Sequence, residues 1–119
     1  MIDLSNLFMD CTNLKSVDIS NLYTSNVVNM KYMFSSCFSL TSINISHFDT
    51  SKVTNMAYMF FGCESLKSLN LYNFNISNIV NMDHLFDQCI SLISLNISSF
   101  NISKLDNLNF IFRNCSSLT

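Results

Sequence analysis

The chain has 119 residues, 49% of them hydrophobic, only 12% charged, and a formal net charge of −2. That is enough apolar material for one buried core, with neither an acidic tail nor the basic face that attracts phosphate, so disorder is excluded and nucleic acid is not an expected partner. No apolar run approaches the roughly 18 residues of a membrane span, and the opening MIDLSNLFMD lacks the basic start and continuous apolar stretch of a secretory signal. A cytoplasmic protein and an internal piece of a longer one both fit that opening. Proline is absent and glycine occurs once, at Gly62, too few for ordinary hairpins or tight helical loops. Some other device must set the turns.

Self-similarity supplies the frame. Cys11, Cys37, Cys63, Cys89 and Cys115 are each 26 residues apart, and so are Phe8, Phe34, Phe60, Phe86 and Phe112, and Leu14, Leu40, Leu66, Leu92 and Leu118. Other columns keep their chemistry without strict identity: Val17, Ile43, Leu69 and Leu95; Ile19, Ile45, Leu71 and Ile97; Leu22, Phe48, Phe74 and Phe100. Polar columns are fixed too, among them Ser25, Ser51, Ser77 and Ser103, and Asn29, Asn55, Asn81 and Asn107. One unit of 26 residues therefore recurs, without insertion, through residues 1–119.

In chain order, each unit opens on a helical spacing. Met56, Met59, Phe60 and Cys63 stand at i, i+3, i+4 and i+7, one face of two helical turns, which predicts short helices near 4–10, 30–36, 56–62, 82–88 and 108–114. The Asn column directly precedes the spacing and reads as a set of N-caps. Then comes alternation: in LTSINIS, Ile43 and Ile45 fall on one side and Ser42, Asn44 and Ser46 on the other. This predicts half-buried strands near 14–20, 40–46, 66–72 and 92–98. Between strand and helix, FDTSKV turns Phe48 and Val53 inward and offers Ser51 to bond local backbone where glycine or proline would be expected. One strand and one helix cannot bury their apolar face alone, so the units must stack into a parallel solenoid of the α/β leucine-rich-repeat type.

The order LTSINISHFDTSKVTNMAYMFFGCESL over residues 40–66 resembles the repeat of the BspA-type leucine-rich-repeat surface proteins, and the likeness extends along essentially the whole chain. The resemblance implies a leucine-rich-repeat fold on the surface of, or secreted from, a host-associated microbe, with adhesion or binding as its role. The later units depart from that pattern where Asp49-Thr50 becomes Asn75-Ile76 and Asn101-Ile102.

Side chains that could carry chemistry are few. The cysteine ladder invites stacked disulfides or a metal, but five thiols pointing one way do not converge tetrahedrally, and buried free thiols are the simpler reading. His47 and His84 occupy different columns and read as solvated surface residues, although Asp49, Asp83 and Asp87 are near enough in sequence to orient an imidazole. Catalysis needs a place where several polar residues together break the repeat, and none is evident, so no enzyme, cofactor or metal is expected. N-x-Ser triplets at Asn44, Asn75, Asn96, Asn101 and Asn114 follow from composition. Met30, Met56 and Met82 read as adaptable core filler.

The outward strand positions form a grid: Ser16, Asp18 and Ser20; Ser42, Asn44 and Ser46; Ser68, Asn70 and Tyr72; Ser94, Asn96 and Ser98. In repeat stacks the strands offer an extended surface to partners, which makes this grid the candidate face for a protein or glycan ligand. Equally, Ser and Asn keep an exposed sheet soluble. Tyr72 alone breaks its column with an aromatic, suited to a hot spot or a sugar-stacking position. Both ends of the chain cut through a unit, so a longer array or end-to-end self-association is expected. The competing functions are thus a binding or adhesion module of a larger surface protein, and a structural spacer.

Overall fold

The computed structural model describes residues 1–101 and 108–118. Ile102, Ser103 and Asn107, cited above, lie outside them. Successive 26-residue coils stack in parallel, each joined to the next by backbone hydrogen bonds. The regular elements are short. Strands β1 (Ile2–Asp3) and β2 (Val27–Asn29) pair in parallel, as do β3 (Ser68–Asn70) and β4 (Ser94–Asn96), and helix α1 is Leu108–Ile111. Isolated parallel bridges at Asn29, Asn55 and Asn81 carry the first ladder onward through the stack.

The expected α/β architecture, with one strand and one helix per unit, is overturned. Residues 4–10, 30–36, 56–62 and 82–88 are successive tight turns, and of the expected helices only α1, four residues long, is helical. In an α-helix every interior N–H is spent on the carbonyl four residues back, leaving none for a neighbouring coil. Here the N–H groups alternate. Those of Met56, Tyr58, Phe60 and Gly62 donate to carbonyls of the next coil, on Asn81, Asp83, Leu85 and Asp87, at 2.8–3.0 Å. Those of Met59, Phe61 and Cys63 turn back onto Met56, Tyr58 and Phe60 at 3.2 Å. Met56, Met59, Phe60 and Cys63 are still buried together, so the helical spacing reports a common face without a helix.

This path requires left-handed backbone twice per coil: Tyr32 and Ser36, Tyr58 and Gly62, His84 and Gln88 all have φ between 56° and 72°. For a residue with a Cβ that conformation costs about 1–2 kcal/mol. Four bonds to the next coil at about 1 kcal/mol each, plus the core they align, offset it.

Two of the four expected strands contain a strand, β3 and β4, while residues 14–20 and 40–46 contain none. The alternation nonetheless holds: Ile19, Ile45, Leu69 and Leu71 are buried, and their outward neighbours are exposed. The core is a set of ladders. Phe8, Phe34, Phe60, Phe86 and Phe112 stack ring on ring with centroids 5.4, 5.5, 6.0 and 5.7 Å apart, and the three central rings are fully buried. Each such burial contributes about 1.5–3 kcal/mol, and every coil depends on its neighbours for it.

The turn device also differs from expectation. At Asn29, Asn55 and Asn81 the Asn column does not cap helices. The side-chain carbonyls of Asn29, Asn55 and Asn81 each accept the backbone N–H two residues on, all at 3.0 Å. Asp49 and Asn75 do the same for Ser51 and Ser77, so the bend assigned to the Ser column is set by the residue two places earlier. These Asx turns stand in for glycine and proline. Thr24 and Thr50, buried beside them, brace the stack: the Thr50 hydroxyl accepts the Asn75 N–H at 2.8 Å and donates to its carbonyl at 3.1 Å, and Thr24 holds Asp49 in the same way.

Candidate functional site

The strand face is built by the same Asx device. In the middle row of the grid, the side-chain oxygens of Asp18, Asn44, Asn70 and Asn96 accept the N–H of Ser20, Ser46, Tyr72 and Ser98 at 2.9–3.1 Å. Ser46 and Ser98 add their hydroxyls to the same oxygens at 2.7 and 2.8 Å. The side chains are thereby fixed by their carbonyl end. The Nδ2 groups of Asn44, Asn70 and Asn96 meet no protein acceptor among the described residues. Hydrogen bonds from the Ser20 N–H and hydroxyl hold the Asp18 carboxyl below its ordinary range.

Coil stacking brings these rows into register. Ser68, Leu69 and Asn70 pair with Ser94, Leu95 and Asn96, and Ser42, Asn44, Ser68, Asn70, Ser94 and Asn96 line one open depression of about 350 Å³ floored by Ile43 and Leu69. All twelve grid residues are exposed. Tyr72 is 61% exposed at the margin of this row, and no charged residue lines the depression.

A second cluster is half visible in the sequence, where Asp87 stands near enough to orient the His84 imidazole, while Arg113 escapes it. The Asp87 side chain is fully buried, and its carboxylate receives Nδ1 of His84 at 2.8 Å and Nε and Nη2 of Arg113 at 3.1 and 2.8 Å, with Nδ2 of Asn114 farther off at 3.4 Å. His84 is therefore not a solvated surface residue. Its ring lies in an aromatic column between Tyr58, 4.7 Å away, and Phe110, 5.1 Å away, and Tyr58 in turn stacks on Tyr32. His47 is also engaged, its Nε2 within 3.1 and 3.2 Å of the Ile19 and Leu22 carbonyls of the preceding coil. Asp87 and Arg113 are one period apart in a column otherwise filled by Met9, Ser35 and Phe61, and opposite charges at that spacing are the signal that could have found them.

The cysteines are free thiols, with Cys37, Cys63 and Cys89 buried. Each of the last four donates its S–H to the carbonyl of a column phenylalanine in the preceding coil: Cys37 to Phe8, Cys63 to Phe34, Cys89 to Phe60 and Cys115 to Phe86, at 3.0–3.2 Å. Burial pushes the Cys37 thiol up to about 11, and burial together with the flanking thiols pushes Cys63 well above its ordinary value. Thiols held protonated in this way are poor nucleophiles and poor metal ligands.

These features define a class: a 26-residue repeat protein whose coils interlock through backbone, aromatic and thiol ladders and turn outward one amide-bearing face whose middle row holds a single carboxylate, Asp18. The chain belongs to the family described as Mycoplasma protein of unknown function, DUF285, which matches residues 2–119. No curated protein and no solved structure shows significant similarity to it. Among the described residues, no helix is long and apolar enough to cross a membrane.

Proposed function

We propose that this chain is a non-enzymatic binding or adhesion module within a larger surface protein, engaging its ligand through the strand face. One observation carries the reading. Asn44, Asn70 and Asn96 stand in register beside an open depression, with their carbonyl ends fixed and their N–H donors unspent. Donors held in place before binding lose little freedom when a ligand arrives. The resemblance to BspA-type proteins supports placement at the cell surface and a role in adhesion. Among the described residues His84 is committed to Asp87 and stacked between Tyr58 and Phe110, which favours a structural role for it.

A spacer is the second reading, favoured by the fact that the same Asx turns are structural devices elsewhere in each coil. Titrating the purified chain against panels of extracellular matrix proteins and oligosaccharides, with Tyr72→Ser as control, separates the two. Binding that weakens in the variant supports a recognition face, whereas a folded chain that binds nothing in either panel is a spacer.

A further inference from the structure

We propose that the ligand of this face is a neutral, extended oligosaccharide lying along the stack axis, one sugar ring per coil, held by the Nδ2 groups of Asn44, Asn70 and Asn96 with Tyr72 packed beside it. This inference rests on the binding reading above and names its ligand class.

Three independent features point to it. The first is charge: the lining of the depression is wholly uncharged, so neither an acidic nor a basic polymer finds a counter-ion there. Neutral hydroxyl-rich chains have no such need. The second is periodicity. Coils stacked about 4.8 Å apart repeat the same donor at nearly the rise per ring of an equatorially linked pyranose chain, whose alternate rings turn over but carry hydroxyl or ring oxygens on both edges, so each amide meets an acceptor. An extended peptide rises about 3.3 Å per residue, out of step with that spacing. The third is the aromatic. Tyr72 is exposed next to Asn70, in a column otherwise filled by Ser20, Ser46 and Ser98, and its ring is free of the stacking that occupies Tyr32 and Tyr58. A flat apolar ring with a polar tip beside fixed amides suits the C–H face and hydroxyl edge of a sugar.

The test uses the whole chain and β-1,4-linked glucose and N-acetylglucosamine oligomers of one to six rings, with α-1,4-linked glucose oligomers as curled controls, followed by calorimetry. The expected result is affinity that rises with length to about three rings and then levels, changes little with salt, and is weaker for the α-linked series. Asn70→Asp isolates the donor. Asp18 shows that a carboxylate makes the same turn, so this variant keeps the fold while replacing the outward N–H₂ by an acceptor, and affinity should fall about tenfold. Unchanged melting of the variant checks that the fold is kept. Equal affinity for one ring and six, or no effect of Asn70→Asp, overturns the axial arrangement. Binding of a matrix protein that Tyr72→Ser abolishes, with no oligomer bound, overturns the sugar ligand and leaves the binding face standing. Failure of both panels removes both.

Discussion

The Sγ of Cys63 lies 3.2 Å from the carbonyl oxygen of Phe34, a residue one coil and three positions back, and both groups are buried. This joins two of the three strict columns of the sequence, since the thiol is a second donor, beside the Cys37 N–H, to the backbone of the residue whose ring forms the neighbouring ladder. Replacing Cys63 by alanine removes that donor, while the Phe34 carbonyl keeps the Cys37 N–H at 3.3 Å, so a loss of about 0.5–1.5 kcal/mol is expected. The same change at Cys11, half-buried in the first coil, should cost less. Urea unfolding of the two variants measures the difference.

The thiols also set a response to alkali. A thiol whose acidity folding suppresses contributes its stability below the unfolded value and loses it as the pH climbs through the folded one. For Cys37 the folded value lies near 11 against an ordinary value of 9.0, so stability should hold up to about pH 9 and decline from there through 11. A melting series across that range, compared with a Cys37→Ala chain whose decline is smaller, checks the sign. At neutral pH, Cys37, Cys63 and Cys89 should react with a disulfide reagent only after denaturant is added.

At the Asp87 cluster the two partners should behave unequally. Arg113 keeps 48% of its side chain exposed, while that of Asp87 is fully buried. Arg113→Met strips a buried carboxylate of its best partner and is expected to cost about 3 kcal/mol. Asp87→Asn releases an arginine that can hydrate and keeps a hydrogen-bonding side chain in place, so a cost nearer 1 kcal/mol is expected. Thermal melts of both variants decide the order.

The Thr column offers a local control. Thr50→Val keeps the shape but leaves the Asn75 N–H and carbonyl without the hydroxyl that serves both, for an expected loss of about 1–3 kcal/mol. The chain itself carries Ile76 in the equivalent place one coil later.

Much of this was legible in the sequence, because a strict period forces like onto like. The 26-residue columns told which side chains stack, and the alternation at Ile43 and Ile45 told which face turns outward. The helices were not legible. The i, i+3, i+4, i+7 spacing of Met56, Met59, Phe60 and Cys63 records only that four side chains share one side, and a run of tight turns with Tyr58 and Gly62 left-handed satisfies it as well as a helix does. What decides between them is where the backbone N–H groups are spent, which the adjacent coil controls and the local sequence does not display. The pairing of Asp87 with Arg113 and Asn114 was hidden for a similar reason: those partners belong to the next coil, unlike His84. The grid was found by its alternation, but the Asx turns that fix its amides look like composition until Ser20, Ser46, Tyr72 and Ser98 are seen donating to them.

The most direct test of the architecture is the stability of Gly62→Ala. The site is open enough for a methyl group, whose nearest neighbours would be the Phe38 ring at 3.6 Å and Ser36 Cα at 3.7 Å, so only the backbone is being asked. In a helix the change would stabilise the protein by about 0.5–1 kcal/mol. With φ at +72°, it should instead destabilise by about 1 kcal/mol or more. A gain in stability would mean that residues 56–62 are helical and would contradict the coil described here.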